Sequence, residues 1–525
     1  MSSSETTPSR GLGRLLDGVE RVGNRLPDPV TLFALLALGV VLVSWIASLI
    51  GVAAVHPGTG ETITTVNLLS GEGLRRMFTE AVDNFTAFPP LGLVIVVIIG
   101  IGVTEHSGLI SAALRRLLEV VPDSLLTATL VFAGIMSNIA VDAGYVVVVP
   151  LGAVLFAAAG RHPLAGLAAA FAGVSAGFSA NLLITGLDPL LSGLSQEGAQ
   201  LVDPDYVVQP TANYWFMIAS TFVLTGLGTW VTARFVEPRL GTWDPSRGED
   251  VEDAMSVDEV TAAERRGLRA AAWTTVAVGV VMALLVVPEG APLRDPAAVA
   301  AGAPWYVQIG PFLNAIVTLL MLAFLLVGVA YGVVAGTITS DRDVARMASE
   351  GVEVLGSYIV LAFAAAQFVA WFGWSNLGLI LAIQGAALLQ GIGFTGLPMI
   401  LAFVLVAGFI NLFIGSASAK WAVMAPVFVP MLMLTGYSPE MVQAAYRVGD
   451  STTNIITPLM PYFPVIIAFA QRWDRESGLG TLISAMLPYS VVFLLGWLLM
   501  FAVWVVLGLP LGPGAPTDYL AVAGM

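Results

Sequence analysis

Residues 411–464, NLFIGSASAKWAVMAPVFVPMLMLTGYSPEMVQAAYRVGDSTTNIITPLMPYFP, form an apolar run interrupted twice by polar residues. The interruptions are GSASAK (415–420) and RVGDSTTN (447–454), the second with an arginine and an aspartate deep in apolar sequence. Apolar character resumes at once on both sides, so neither reads as an ordinary loop. Within a bilayer, irregular backbone is tolerated only where it is buried in protein or lines a water-filled cavity. Ionisable residues at that depth mark a functional site by default. The rest of the chain reads as what positions this stretch.

The bilayer follows from composition. Of 525 residues, 57% are hydrophobic and 11% charged, and the mean hydropathy is +0.86. No soluble chain of this length is so apolar, so this is a polytopic membrane protein. The apolar runs are long and lack the alternation of an outer-membrane barrel, which makes the fold all-α. The chain has no cysteine, which excludes disulfides, iron–sulfur clusters and thiolate sites. The net charge of −14 sits mostly in the aqueous segments and argues against nucleic acid as a partner. His56, His106 and His162 lack metal-ligand spacing, and no GxxxxGK or HExxH motif occurs. No cofactor and no enzymatic activity are indicated.

About nine transmembrane helices and two re-entrant hairpins are expected. Residues 1–27 carry Arg10, Arg14, Arg21 and Arg25, which places the N-terminus in the cytoplasm. The run at 28–50 is too long for a signal peptide and is read as the first span. A second span covers 88–106, and 107–122 is either an interfacial amphipathic helix or the end of that span. The arms of 124–160 fall short of the roughly 20 residues needed to cross, so this is a hairpin with its tip at SNIAVD (137–142). The next span, 163–187, is broken at SAGFSAN (175–181), ends at Asp188 and leads into an acidic outer segment. A span at 212–235 completes the first unit, 28–235.

The hydrophilic segment 236–267 is a cytoplasmic linker, and an extra span with its outer loop occupies 268–308. The second unit, 309–510, holds spans at 309–335 and 352–372, an interfacial segment at 376–392, a hairpin at 397–435, a broken span at 439–471 and a final span at 480–508. Residues 511–525 form a tail.

The two units align at a constant offset of 276 residues: Pro150 falls on Pro426, Gly160 on Gly436, Pro163 on Pro439, Gly173 on Gly449 and Ser175 on Ser451. Tyr145 falls on Trp421, and Asn181 and Asn454 each close a polar break. The extra span inverts the second unit. The expectation is an inverted-topology repeat with two broken helices, an arrangement that places a transport site between the copies.

Each unit then sets a hairpin tip against a helix break. The first offers Ser137, Asn138 and Asp142 against Ser175, Ser179 and Asn181; the second offers Ser416 and Ser418 against Thr452, Thr453 and Asn454. These are hard oxygen ligands suited to Na⁺ or a polar substrate, with one Na⁺ set at Ser137, Asn138 and Asn181 and another at Ser416, Ser418 and Asn454. The alternative for any one of them is a bond to its own helix carbonyl at i−4. Arg447 and Asp450 lie three apart on one helix face and can pair. Either they form a structural salt bridge, or Arg447 meets a substrate carboxylate or Asp450 handles a cation or proton. The first copy lacks such a pair: Phe171 and Val174 occupy the matching positions. Asp188 is either a coupling group or an interface residue. Trp421, beside Lys420, either stacks on a substrate ring or packs the hairpin.

SNIAVDAGYVVVVPLGA (137–153), GRHPLAGLAAAFAGVSAGFSANLL (160–183), SASAKWA (416–422) and YRVGDSTTNIITPLMPYFP (446–464) resemble the AbgT family of p-aminobenzoyl-glutamate transporters, a similarity running from about residue 20 to 510. The resemblance implies a homodimer of nine-span protomers in the bacterial inner membrane, each split into a scaffold and a transport core. It implies Na⁺- or H⁺-coupled movement of p-aminobenzoyl-glutamate and export of sulfonamide antimetabolites. Another small dicarboxylate is the alternative substrate. The family's functional positions fall on Asp188, Asn411, Ser418, Trp421, Pro439, Arg447, Asp450 and Pro458, with Asp188 and Asp450 favoured for ion coupling. A channel would need a polar stripe along several spans, and a hydrolase a nucleophile–base pair or metal cluster; the sequence offers neither.

Overall fold

An apolar segment in a bilayer must satisfy its own backbone, and a helix does so within one segment. The computed structural model describes residues 29–55, 60–119, 122–139, 144–248, 260–353, 355–457, 460 and 462–519. The first half contains α1 (Pro29–Ile50), α2 (Pro89–His106), α3 (Leu109–Glu119), α4 (Leu126–Met136), α5 (Val149–Ala158), α6 (Pro163–Phe171), α7 (Leu187–Ala199) and α8 (Tyr214–Val231). The second contains α9 (Ala262–Val286), α10 (Ile316–Ala335), α11 (Asp341–Glu353), α12 (Gly356–Trp374), α13 (Leu377–Gly391), α14 (Leu397–Asn411), α15 (Ala417–Met433), α16 (Pro439–Thr453), α17 (Phe463–Trp473) and α18 (Leu479–Val506). Strand is confined, among the described residues, to an antiparallel pair, β1 (Ala53–Val55) and β2 (Thr62–Thr64).

The all-α membrane fold is as read. Five of the described helices are long and apolar enough to cross a bilayer, or up to seven if the bent pairs α2–α3 and α11–α12 each count as one span. A 60° bend makes α3 a separate helix from the end of α2, and Arg115 on α3 pairs with Glu264 on α9 at 2.6 Å.

Both turns that lead from a hairpin into a broken helix are built alike. Gly160 and Gly436 adopt φ of +69° and +106°, a left-handed conformation that glycine takes at no steric cost. A capping residue follows: His162 accepts from Leu164 N and Ser438 from Met441 N. Pro163 and Pro439 then open α6 and α16, where their missing N–H is no loss. The matches at offset 276 in this region have a backbone cause.

The first break falls at the polar stretch SAGFSAN, and the second lies beyond its polar residues. In the first half the helix passes into a π-turn at Ala172–Ala176, and irregular chain follows up to α7. In the second half α16 runs unbroken through Arg447, Asp450 and Thr453, and irregular chain begins after Asn454–Ile456. RVGDSTTN is therefore helical, and every residue of α16 is buried. Arg447, Asp450 and Thr453 have side-chain partners on neighbouring helices, which lets a polar sequence stay helical at depth. GSASAK also differs from expectation: Ser416 caps α15, and residues 417–420 are already helix. Asp188 does not end a span. It sits in the first turn of α7, a buried helix where an acidic outer segment was expected.

Glycine sets the closest helix approaches. A Cβ on Gly173 would lie 2.4 Å from the Val131 carbonyl oxygen, and one on Gly449 2.2 Å from that of Val404. So α4 contacts the π-turn after α6 as α14 contacts α16, backbone against backbone. The helix α7 bridges the halves, packing on α15 and α16 as well as on α2. The extra helix α9 packs on α10, away from this centre.

Candidate functional site

Four fully buried charged side chains meet where α7, α14, α15 and α16 converge. Asp188 and Lys420 are 0% exposed, and Arg447 and Asp450 1%. The salt bridge between Arg447 and Asp450, one of the two alternatives for them, does not form. Although they share a helix face, each has a partner on another helix. Arg447 Nη2 donates to Asp188 Oδ1 at 2.5 Å, and the Lys420 ammonium donates to Asp450 Oδ1. A buried ion outside such a pair costs several kcal/mol, which holds this register against alternatives.

The first pair joins the halves. Asp188 Oδ2 accepts from the Thr185 backbone N–H at 2.7 Å and its hydroxyl at 3.0 Å, so the irregular chain before α7 fixes the carboxylate. The Arg447 guanidinium has donors to spare: Nη1 faces the Met217 sulfur at 3.4 Å, and Nε has no protein partner. The second pair lies within the second half. Lys420 also donates to Asn411 Oδ1, and Asp450 Oδ1 accepts from the Tyr446 hydroxyl at 3.3 Å, while Asp450 Oδ2 is buried without a partner. The cluster carries two carboxylates and two cations and is electrically neutral.

Trp421 is wholly buried. Its ring stacks on Tyr446 with centroids 4.3 Å apart, and its indole N–H donates to Ser195 Oγ on α7 at 3.0 Å. From Ser195 a polar ladder continues to Gln443 Oε1 at 2.7 Å and on to Asn213 Oδ1 at 2.9 Å. Tyr145, at the matching place in the first hairpin, stacks on Tyr462 at 4.2 Å. Each hairpin's aromatic thus reaches the chain beyond the other half's break.

The remaining sequence-derived positions divide. Asn411, at the end of α14, donates to Asp450 O, Thr453 Oγ1 and Asn454 Oδ1, each at 2.8 Å, and so belongs to the cluster. Asn138 and Asn181 converge on the Ile135 carbonyl at 3.1 and 3.2 Å. The Ser137 hydroxyl bonds the Gly134 carbonyl at i−3, and that of Thr452 bonds the Val448 carbonyl at i−4, the local back-bond named as the alternative. Ser416 and Ser418 lie 3.3 Å apart at the N-terminus of α15, and Pro439 is buried as the first residue of α16. The halves also meet where Ser179 N–H donates to Ser451 Oγ at 3.2 Å. Asp142 and Pro458 lie outside the described residues.

Sequence reasoning missed Ser195, Gln443, Asn213 and Thr185. The spacing of Asp188, Ser192 and Ser195 along one helical face was the available signal for α7. Tyr446 was passed over as a flank of RVGD.

An AbgT transporter-family profile matches residues 14–519. This chain belongs to the AbgT family. It is 38% identical over 514 residues to the p-aminobenzoyl-glutamate transport protein of Escherichia coli (strain K12), covering 98% of this chain and 99% of that one. The YdaH transporter of Alcanivorax borkumensis superposes with a TM-score of 0.87 at 46% identity, over 93% of this chain and all (100%) of that one. MtrF of Neisseria gonorrhoeae, from a class of antimetabolite efflux pumps, superposes with a TM-score of 0.90 at 46% identity, over 96% of this chain and 100% of its own. The AbgT chain described here is accordingly a membrane transporter and not an enzyme.

Proposed function

We propose that the chain carries p-aminobenzoyl-glutamate, sulfonamide antimetabolites or both across the bacterial inner membrane, coupled to a Na⁺ or H⁺ gradient. The observation that carries this reading is the buried Arg447–Asp188 pair bridging the halves, beside a second pair at Lys420 and Asp450. Arg447 keeps unused donors for a substrate carboxylate, and the Trp421–Tyr446 stack lies next to it for an aminobenzoyl or sulfonamide ring. Asn411, Asp188 and Asp450 are the coupling groups. The oxygens near Ser137, Asn138 and Asn181 and near Ser416, Ser418 and Asn454 are candidates for Na⁺.

The units 28–235 and 309–510 act as inverted repeats around this centre, with the N-terminus in the cytoplasm and the protein a homodimer. The matched turns at Gly160 and Gly436 and the matched contacts of Gly173 and Gly449 support the repeat. The test is flux of both compounds in proteoliposomes under separately imposed Na⁺ and H⁺ gradients. Gradient-driven flux of either compound is the expected result. Flux of neither, or flux indifferent to both gradients, overturns the reading.

A further inference from the structure

Lys420 is the only lysine in the chain, and it is completely buried. An ammonium is a compact point charge with three donors, and this one is spent on Asn411 Oδ1 and Asp450 Oδ1, with its nitrogen 5.4 Å from the centre of the Tyr446 ring. An amide oxygen beside a carboxylate oxygen makes a cation site, and here a tethered cation fills it.

The charges around it are few. On α15 Lys420 stands alone, and α13 and α14 carry no titratable group. Packed against α15, α16 supplies Glu440, Tyr446, Arg447 and Asp450, and α7 supplies Asp188 and Glu197. Tyr358 is the titratable group of α12, which also touches α15. Asp188 is held by Arg447 and Thr185, and Glu440 accepts from the Tyr206 hydroxyl. Asp450 alone of the cluster's carboxylates has an oxygen, Oδ2, without a partner.

A metal cation cannot take the Asn411–Asp450 oxygens without expelling the ammonium. A proton can join Asp450 Oδ2 with no neighbour displaced. Protonation cancels the carboxylate charge and leaves Lys420 as an unpaired buried cation, a state that is costly in a low-dielectric interior. An anion arriving at the ammonium removes that cost. We propose that Lys420 is a switching counter-ion: a proton loads on Asp450, and the released ammonium takes an anionic group of the substrate, a carboxylate or a deprotonated sulfonamide. One proton and one negative charge enter together, the amine keeps its own protons, and the cluster stays neutral. Proton and substrate binding are then reciprocally linked. The inference rests on the transport reading above and narrows its coupling ion to H⁺.

A single lysine gives a single side-chain signal in protein labelled with ζ-¹⁵N-lysine. Adding p-aminobenzoyl-glutamate to the detergent-solubilised wild type should shift that signal. It should also draw about one proton per bound substrate from a weakly buffered solution. In Lys420→Met the counter-ion is gone and the proton uptake should disappear. In Asp450→Asn the ammonium is free from the start, so binding persists without proton uptake and loses its pH dependence. Should Lys420→Met not fold, the wild-type signal and Asp450→Asn decide alone. Wild-type binding with a static lysine signal, binding without proton uptake, or full uptake in either variant overturns this inference and leaves the transport reading standing. Failure of the wild type to bind either p-aminobenzoyl-glutamate or a sulfonamide overturns both.

Discussion

Arg447 and Asp188 lie 259 residues apart in the chain, yet they form a buried 2.5 Å ion pair between α16 and the first turn of α7. Breaking one side of such a pair strands the other charge, at a cost of roughly 3–5 kcal/mol. Asp188→Asn and Arg447→Met should each lower stability by about that amount and abolish flux. The double variant should recover much of the stability and none of the flux. Thermal unfolding in detergent, run beside proteoliposome flux, separates the two effects.

Gly173 and Gly449 should be intolerant to a single added carbon. Their Cβ atoms would fall 2.4 Å from Val131 O and 2.2 Å from Val404 O, and both neighbours are backbone within helices, so the helices must part. Gly173→Ala and Gly449→Ala should each cost about 1–3 kcal/mol. On α8, a Cβ at Gly226 would meet nothing within 4 Å. Gly226→Ala should be neutral, or stabilising by up to about 1 kcal/mol through helix propensity. The same unfolding measurement ranks the three.

Trp421 serves both the stack on Tyr446 and the bond to Ser195, and two substitutions separate these roles. Trp421→Phe keeps an aromatic face and loses the indole N–H. It should retain flux with KM raised several-fold, consistent with about 1 kcal/mol for the hydrogen bond. Trp421→Ala removes the face and should leave no measurable flux. Initial rates across a range of p-aminobenzoyl-glutamate concentrations show the contrast.

His162 caps α6 at the turn between α5 and α6, accepting from Leu164 N–H. Burial, the largest influence, holds its imidazole below the ordinary value; Asp474 opposes this and Arg247 adds to it. The neutral ring is therefore favoured in the folded protein, and the unfolded chain takes up the proton first. Stability should be constant above about pH 6.5 and should fall as pH drops toward the lowered folded value. His162→Asn, which still caps, should flatten that part of the profile in pH-resolved unfolding.

The fold class was legible because a bilayer permits few answers. Apolar runs of spanning length, short broken ones and basic segments between them leave a helical membrane protein as the reading. The paired Gly and Pro matches were legible for a backbone reason, since left-handed turns and first-turn prolines restrict residue type. The first broken segment was legible at SAGFSAN, and the second was misplaced because a polar string has two physical readings. RVGDSTTN is helical, its Arg447, Asp450 and Thr453 answered by α7, α15 and α14, and those answers come from distant parts of the chain. The same limit made Arg447 and Asp450 look like partners, since i,i+3 spacing shows which groups can meet but not which distant group competes. The helix α7 was read as an outer segment because its acidic and small residues lower its hydropathy, although Asp188, Ser192 and Ser195 are spaced for one buried face. Lys420 carried a signal of its own: it is the chain's sole lysine, placed where a charge is costly.

The central claim is that substrate binds between α7, α15 and α16. Photolabelling with p-azidobenzoyl-glutamate, in which an azide replaces the amino group, tests it directly. Irradiation followed by peptide mapping should place the label on segments 185–199 and 416–450, around Trp421 and Tyr446, and excess p-aminobenzoyl-glutamate should prevent it. Labelling that p-aminobenzoyl-glutamate suppresses but that maps only elsewhere, such as on α9, α10 or α11, would contradict the account.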